Sequence, residues 1–226
     1  MLDEDITFPP AEMASREGIV AVGGDLSPQR LLNAYANGIF PWFSEGEPIL
    51  WWSPSPRMVL FPKEVHISKS MKRLLNKNPF QLTFDKNFKE VIENCRLPRK
   101  KQPRTWITEE MRDAYVRLHE LGFAHSAEVW QDKKLAGGIY GISLGKCFFG
   151  ESMFSKKSNA SKFVFIKLAQ QLLKMEFLFL DCQVPSEHLE SLGARPIPRK
   201  DYLALLKQGL KHKTLIGNWG FLGGSP

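Results

Sequence analysis

The sequence predicts an α/β (α+β) protein with two domains: a small mixed domain over residues 1–57 and a larger one over residues 58–226 with a mostly antiparallel sheet. Three observations support this prediction. The chain has 226 residues, of which 43% are hydrophobic, so it can bury a substantial core. Its first sixty or so residues are rich in proline and aromatic residues. From about residue 105, patterns typical of helices and strands follow one another at short intervals.

The first domain contains one clear helix followed by an aromatic passage. Ser27 suits the N-cap, Pro28 the first helical position and Gly38 the C-terminal stop. Residues 40–43 and 51–56 then combine tryptophan, phenylalanine and proline. Because proline lacks a backbone donor, it excludes a long helix here and confines any strand to a sheet edge. We expect the aromatic side chains of this passage to pack against the larger domain.

The regular pattern of the second domain begins with a helix that Thr108 caps and Gly122 ends. Three strands follow as an antiparallel meander, since short polar turns separate them. A strongly apolar helix, a strand, a short helix and a final helix complete the series. These eight elements span residues 108–121, 124–130, 135–143, 146–153, 158–174, 177–184, 186–192 and 201–208. The Gly-rich residues after Gly217 are expected to be loosely held.

This order of elements is that of a GNAT-like acyltransferase core, an analogy at the level of the fold. Acetyltransferases of that fold hold the pyrophosphate of coenzyme A in a glycine-rich turn at the start of the central helix. The matching stretch here, residues 155–162, contains no glycine. The sequence therefore favours an acyl donor other than coenzyme A.

The chain is basic, with a net charge of +7 and a pI of about 9.3, which favours a polyanionic partner. Basic residues crowd two short segments, and the candidates for phosphate contacts are Lys69, Lys72, Arg73, Arg99 and Lys100. A solvated basic surface is an equally good interpretation of either segment.

Because there is no leader pattern and no apolar run of membrane-spanning length, we expect a soluble cytoplasmic protein. Three scattered cysteines predict neither disulfides nor a metal site.

Two acidic residues and one amide are the candidates for chemistry. Side chains alternate along a strand, so Asp181 and Gln183 point the same way at the end of the strand over residues 177–184. There they could orient an attacking amine or accept its proton, or they could simply satisfy loop amides. Glu151 follows an apolar run and is expected at a partly buried strand end, beside an apolar pocket that would suit a cationic group.

The tryptophans suggest recognition of unpaired bases. Trp42 and Trp106 lie in proline-flanked or basic surroundings, and unpaired bases stack on such flat side chains at about 1–3 kcal/mol per base. A tryptophan is more often part of a core, so packing is the competing interpretation for each of them.

Six motifs can be taken together: GGDLSP at residues 23–28, GIFPWF at 38–43, WWSP at 51–54, TWIT at 105–108, GESMFS at 150–155 and DCQ at 181–183. In this order they resemble the motifs of the bacterial leucyl/phenylalanyl-tRNA–protein transferases, over about residues 8 to 205. The resemblance implies transfer of Leu or Phe, and Met less well, from aminoacyl-tRNA to proteins that begin with Arg or Lys. Such products are marked for degradation through the N-end rule.

The resemblance also implies roles for individual residues. Trp42 and Trp106 would sandwich the terminal adenine of the tRNA. Asp181 and Gln183 would form the catalytic pair, and Glu151 would help to place the reacting groups. The apolar slot for the donor side chain would consist of Ile139, Phe165 and Leu180.

The ester that joins an amino acid to tRNA is already activated, so we expect no metal, no cofactor and no covalent intermediate. Neither a membrane nor DNA is an expected partner. We expect the acceptor's neutral α-amine to attack the ester carbonyl. Asp181, acting through Gln183, would orient or deprotonate this amine. Alternatively, ribose hydroxyls of the tRNA carry the proton and Asp181 only positions the reacting groups.

Two other classes of protein stay open: an N-acetyltransferase, which the missing glycine turn disfavours, and an RNA-binding module without activity.

Overall fold

A computed structural model of the chain describes Leu2, residues 5–97 and residues 106–222. The part before residue 53 contains a small antiparallel sheet in the order β1-β3-β2. Its strands are β1 (Ile19–Val22), β2 (Phe40–Pro41) and β3 (Leu50–Trp52). Strand β2 contains a proline and lies at the sheet edge, as the missing backbone donor of proline requires.

A seven-stranded sheet forms the body of the molecule, in the order β10-β4-β9-β8-β7-β6-β5. Its strands are β4 (Arg57–Leu60), β5 (Gln81–Phe84), β6 (Ala124–Gln131), β7 (Lys134–Leu144), β8 (Cys147–Ser155), β9 (Phe179–Gln183) and β10 (Arg195–Ile197). All neighbouring strands are antiparallel except β8 and β9, which are parallel. The predicted α/β class with a mostly antiparallel sheet is confirmed, and the likeness to a GNAT core stays a prediction.

Seven helices lie in the described residues: α1 (Pro28–Ala36), α2 (Lys69–Lys77), α3 (Phe88–Arg96), α4 (Glu109–Glu120), α5 (Ala160–Lys174), α6 (Glu187–Glu190) and α7 (Arg199–Gly209). Two predicted caps are confirmed. The Ser27 hydroxyl accepts from the amide of the third residue of α1, and the Thr108 hydroxyl accepts from the corresponding amide of α4. The meander β6–β7–β8 and the apolar helix α5 are also confirmed.

The larger sheet buries both of its faces. Helix α5 covers one face, where Phe163 and Leu172 pack with Leu180 of β9. Helices α1, α3, α4 and α7 cover the other face, where Tyr35 and Tyr115 share a core. Tyr35 belongs to the predicted small domain, so the two parts of the chain pack closely together. The domain division at residue 57 stays a prediction.

The C-terminal segment corrects one expectation for its described part, up to Leu222, while residues 223–226 lie outside the described residues. Residues after Gly217 were expected to be loosely held, but Trp219 is buried and stacks on His125 with ring centroids 3.8 Å apart. Its backbone N–H donates to a carboxylate oxygen of Asp85 at 2.7 Å. One large aromatic side chain therefore fixes a segment whose glycines suggest mobility. Within the described residues, no helix is both long enough and apolar enough to span a membrane.

Candidate active site

The candidate site opens where the parallel pairing of β8 and β9 ends. The pairing stops at Phe149 and Asp181, and a β-bulge follows on β8. Gly150 lies opposite Gly141 and Ser152 lies opposite Tyr140, so Glu151 is the extra residue of the bulge. Bulges re-aim side chains and are common beside active sites. Glu151 was expected at a strand end, but it lies in the middle of β8, and the bulge is what turns it towards the cavity.

A cavity of about 280 Å³ lies between β8, β9 and the small sheet. Most of its lining is apolar, and it includes the predicted slot residues Ile139, Phe165 and Leu180 as well as Trp42 and Trp106. Glu151 and Gln183 form a polar corner in the same cavity. The fold thus gathers seven of the sequence-predicted site residues around one space.

Glu151 is held from two helices and a strand. It is only 9% exposed and accepts hydrogen bonds from the Tyr35 hydroxyl at 2.6 Å and the Tyr115 hydroxyl at 2.9 Å. The side-chain amide of Gln183 donates to it at 3.0 Å. Burial raises the pKa of Glu151 to about 7, although its hydrogen bonds oppose that shift. The carboxyl group can therefore gain or lose a proton near neutral pH.

Gln183 links the cavity to a buried ion pair. Its backbone has a φ of +65°, a left-handed conformation that is uncommon for residues other than glycine. Its backbone N–H donates to Asp181 Oδ1 at 2.9 Å while its side chain reaches Glu151. Asp181 therefore fixes the backbone turn that presents the Gln183 amide to the cavity.

Asp181 itself is fully buried and is not among the residues that line the cavity. Arg57 donates to its two oxygens at 2.9 and 2.7 Å, and the Tyr202 hydroxyl donates to it at 2.8 Å. The Arg57 guanidinium also lies over the rings of Phe40 and Tyr202, 4.6 and 4.5 Å from their centroids. In this arrangement, hydrogen bonds connect Asp181 to the cavity through Gln183.

The two predicted stacking residues differ in exposure. The Trp42 side chain is 41% exposed and contacts the ring of Trp52, with centroids 5.7 Å apart. The indole N–H of Trp52 donates to the Trp42 carbonyl at 2.7 Å, which fixes that backbone. Trp106 is half-buried on the same cavity. Both tryptophans keep surface available to a bound group.

The predicted phosphate contacts are only partly described. Lys69, Lys72 and Arg73 are exposed on α2. A separate pocket beside this helix is lined by Met71 of α2, Lys162 of α5 and the residues at the end of α6. Arg99 and Lys100 lie outside the described residues.

Sequence reasoning missed Arg57, Tyr35, Tyr115 and Tyr202. A lone arginine that opens the apolar strand β4 was a usable indication of a buried charge. The tyrosines occupy ordinary core positions of their helices, and nothing local indicates where their hydroxyls point. In the described part of the chain, no group of three or more His, Cys, Asp or Glu side chains is arranged to hold a metal ion.

Comparisons with known proteins match the parts of the chain that form this site. The family model described as leucyl/phenylalanyl-tRNA protein transferase matches residues 59–207, and the model of its N-terminal domain matches residues 24–55. Among solved structures, a conserved protein of unknown function from Bacteroides thetaiotaomicron is similar with a TM-score of 0.39 and a sequence identity of 11%. The superposed region covers 72% of this chain and 57% of that chain.

Three relatives named leucyl/phenylalanyl-tRNA–protein transferase are much more similar in sequence. The protein of Syntrophus aciditrophicus is 57% identical, over 96% of this chain and 92% of the relative. The protein of Flavobacterium johnsoniae is 58% identical, over 91% and 98% of the two chains. The protein of Pseudomonas fluorescens strain Pf0-1 is 53% identical, over 93% and 96%. The chain therefore belongs to the leucyl/phenylalanyl-tRNA–protein transferase family.

Proposed function

We propose that this chain transfers Leu or Phe, and Met less well, from aminoacyl-tRNA to the N-terminal Arg or Lys of acceptor proteins. The observation that carries the proposal is one cavity that combines an apolar slot, two tryptophans and a polar corner. Because its donor is charged tRNA, the reaction takes place in the cytoplasm. The new N-terminal residue marks the acceptor for degradation.

The apolar part of the cavity suits the donor end. Ile139, Phe165 and Leu180 belong to three different elements and offer only carbon to a donor side chain. Burial of an aliphatic or aromatic side chain there contributes about 1.5–3 kcal/mol, whereas a polar side chain would lose its hydration without compensation. Trp42 and Trp106 then hold the terminal adenine by stacking. This division of the cavity supports the proposed use of donors with apolar side chains such as Leu and Phe.

The polar corner suits the acceptor. The carboxyl of Glu151 places the acceptor's α-amine beside the ester, and the Gln183 amide holds that carboxyl at 3.0 Å. Since Arg57 occupies both oxygens of Asp181, we assign Asp181 the positioning role that the sequence left open. It acts through the backbone of Gln183 and does not itself receive the proton.

A transfer assay tests this function. Radiolabelled Leu-tRNA and Phe-tRNA are each incubated with two versions of one acceptor, which begin with Arg and with Ala. We expect label only on the Arg-starting acceptor, and loss of that label with Trp106→Ala. Label on both acceptors would contradict the acceptor rule. No label on either, despite tight tRNA binding, would indicate an RNA-binding module, and binding of acetyl-coenzyme A measured by calorimetry would indicate an acetyltransferase.

A further inference from the structure

Three oxygen-bearing side chains close a triangle behind the cavity. The hydroxyl oxygens of Tyr35 and Tyr115 are 2.6 Å apart. Tyr35 Oη is 2.6 Å from Glu151 Oε1, and Tyr115 Oη is 2.9 Å from Glu151 Oε2. All three distances lie within the range of O–H···O hydrogen bonds. Each of the three side chains is therefore in hydrogen-bonding contact with both of the others.

The protons available in this triangle can be counted. Burial holds the pKa values of the Tyr35 and Tyr115 hydroxyls well above the ordinary value for tyrosine, so each tyrosine keeps its proton. When Glu151 is ionised, both hydroxyls donate to its carboxylate, and the two phenol oxygens face each other at 2.6 Å with no proton between them. One more proton, on Glu151, completes the triangle: Tyr35 donates to Tyr115, Tyr115 to Glu151, and Glu151 to Tyr35.

The triangle thus has two protonation states that share the same heavy-atom positions. They differ by one proton and by the rotation of the Tyr35 hydroxyl, which turns from Glu151 to Tyr115, so neither state requires the backbone to move. Tyr35 and Tyr115 are fully buried, and of the three side chains only Glu151 lines the cavity. A proton can therefore enter or leave the triangle only at Glu151.

We propose that Glu151, Tyr35 and Tyr115 form a proton-storing triangle that takes the proton released by the acceptor's N-terminal amine, an inference that rests on the proposed function. The α-ammonium group gives one proton to ionised Glu151. The lone pair of the amine then attacks the ester carbonyl carbon, and the bond from that carbon to the ribose oxygen breaks. A second proton from the nitrogen passes to the ribose oxygen, and neutral Glu151 later releases its proton to water.

The surroundings of Glu151 support this role. Desolvation places its pKa at about 7, close to the pKa of about 7.7–8.0 of an ordinary α-amine, so that a proton can pass between the two groups in either direction. The titratable and charged groups that face the triangle are Tyr35 on α1, Tyr115 on α4, Tyr140 on β7, and Asp181 on β9 with its partners Arg57 and Tyr202.

Infrared difference spectroscopy of the resting protein tests the first half of the proposal without any substrate. The spectrum of the wild type minus that of Glu151→Gln isolates the Glu151 carboxyl group. We expect a protonated-carboxyl band at pH 6 that disappears with a midpoint near pH 7. A carboxylate that stays ionised from pH 5.5 to 9 would overturn the proposal, whether or not the protein transfers amino acids.

Single-turnover transfer over the same pH range tests the second half. Tyr35→Phe and Tyr115→Phe each remove one member of the triangle, and we expect the midpoint of the carboxyl band and that of the transfer rate to shift together. Tyr140→Phe is the matched control, because this buried tyrosine packs against Tyr115 and its hydroxyl has no hydrogen-bond partner in the described residues. It should move neither midpoint.

A carboxyl midpoint that shifts while the rate profile stays in place would show that the triangle does not receive the proton of the reaction. If the wild type transfers nothing, the proposed function fails while the spectroscopic result still stands. Circular dichroism and thermal unfolding of each variant verify that it is folded.

Discussion

At the scale of the residue, Glu151 couples the site to folding stability. Its folded-state pKa of about 7 lies above the ordinary value of 4.5, because burial disfavours the charged form. Between these two values the folded protein keeps a proton that the unfolded chain has lost. The stabilisation from this group is complete below pH 4.5 and is lost as the pH rises through 7.

The Glu151→Gln variant should therefore gain stability relative to the wild type as the pH rises. The shift in the pKa of Glu151 from 4.5 to about 7 corresponds to about 3 kcal/mol in the free energy of unfolding. Urea unfolding of both proteins at pH 5 and at pH 8 measures the difference. A difference that is the same at both pH values would mean that Glu151 titrates in the folded protein as it does in the unfolded chain.

The buried pair of Arg57 and Asp181 supports a second prediction. Asp181→Asn leaves a fully buried guanidinium without its counter-charge, and breaking such a pair costs about 3–5 kcal/mol. We expect a loss of this size in urea unfolding. The double variant Arg57→Met, Asp181→Leu removes both charges and should be more stable than the single variant. If the double variant were equally unstable, the lost packing, and not the unpaired charge, would be the cause.

At the scale of the element, the bulge between β7 and β8 decides where Glu151 points. A methyl group added at Gly141 would collide with the carbonyl oxygen of Phe149 and come within 2.6 Å of the Phe148 ring. Since a backbone carbonyl cannot move without its strand, Gly141→Ala must displace β8 at the bulge. We expect the transfer rate to fall by at least about tenfold, a barrier increase of about 1.4 kcal/mol.

Gly138→Ala provides the comparison on the same strand. Its new methyl group would meet the edge of the Phe154 ring at 2.9 Å and a Val91 methyl at 3.2 Å, and these side chains can adjust. It would lie 3.3 Å from the carbonyl oxygen of Ala127, a much milder contact than the collision with the Phe149 carbonyl at Gly141. Its transfer rate should stay within a few-fold of the wild type. Equal rate losses in the two glycine variants would argue that general strain in β7, and not the direction of Glu151, limits the reaction.

The elements that could be predicted from the sequence are those with local causes. Ser27 and Thr108 cap their helices through contacts three residues away, so the chain itself carries that information. Strands β4 and β10 were not predicted, because each is only three or four residues long and depends on pairing with distant segments. Short elements of this kind exist only because the sheet is already present. Helices α2 and α3 were not predicted either, although Ser68 and Asn87 cap them in the same local way.

At the scale of the whole molecule, the site depends on contacts between residues far apart in the chain. The alternation along β9 predicted that Asp181 and Gln183 share a face, and the motif resemblance predicted the residues around the cavity. The partners of Asp181 and Glu151 could not be predicted, since Arg57 and Tyr35 are separated from them by 124 and 116 residues. Such contacts follow from the assembled core, and burial of Trp219 near the end of the chain has the same origin.

The net charge of +7 is the other property of the whole molecule, and it supports the last prediction. If Lys69, Lys72 and Arg73 neutralise tRNA phosphates, binding releases counterions, and log KM for Leu-tRNA should rise steeply with log salt concentration. Replacing all three by Ala should reduce this slope by about 2 to 3. Lys207→Ala, Lys211→Ala removes two exposed charges at the end of α7 and should leave the slope unchanged. A wild-type slope in the α2 variant would show that this helix is only a solvated basic surface, and that the tRNA is held elsewhere.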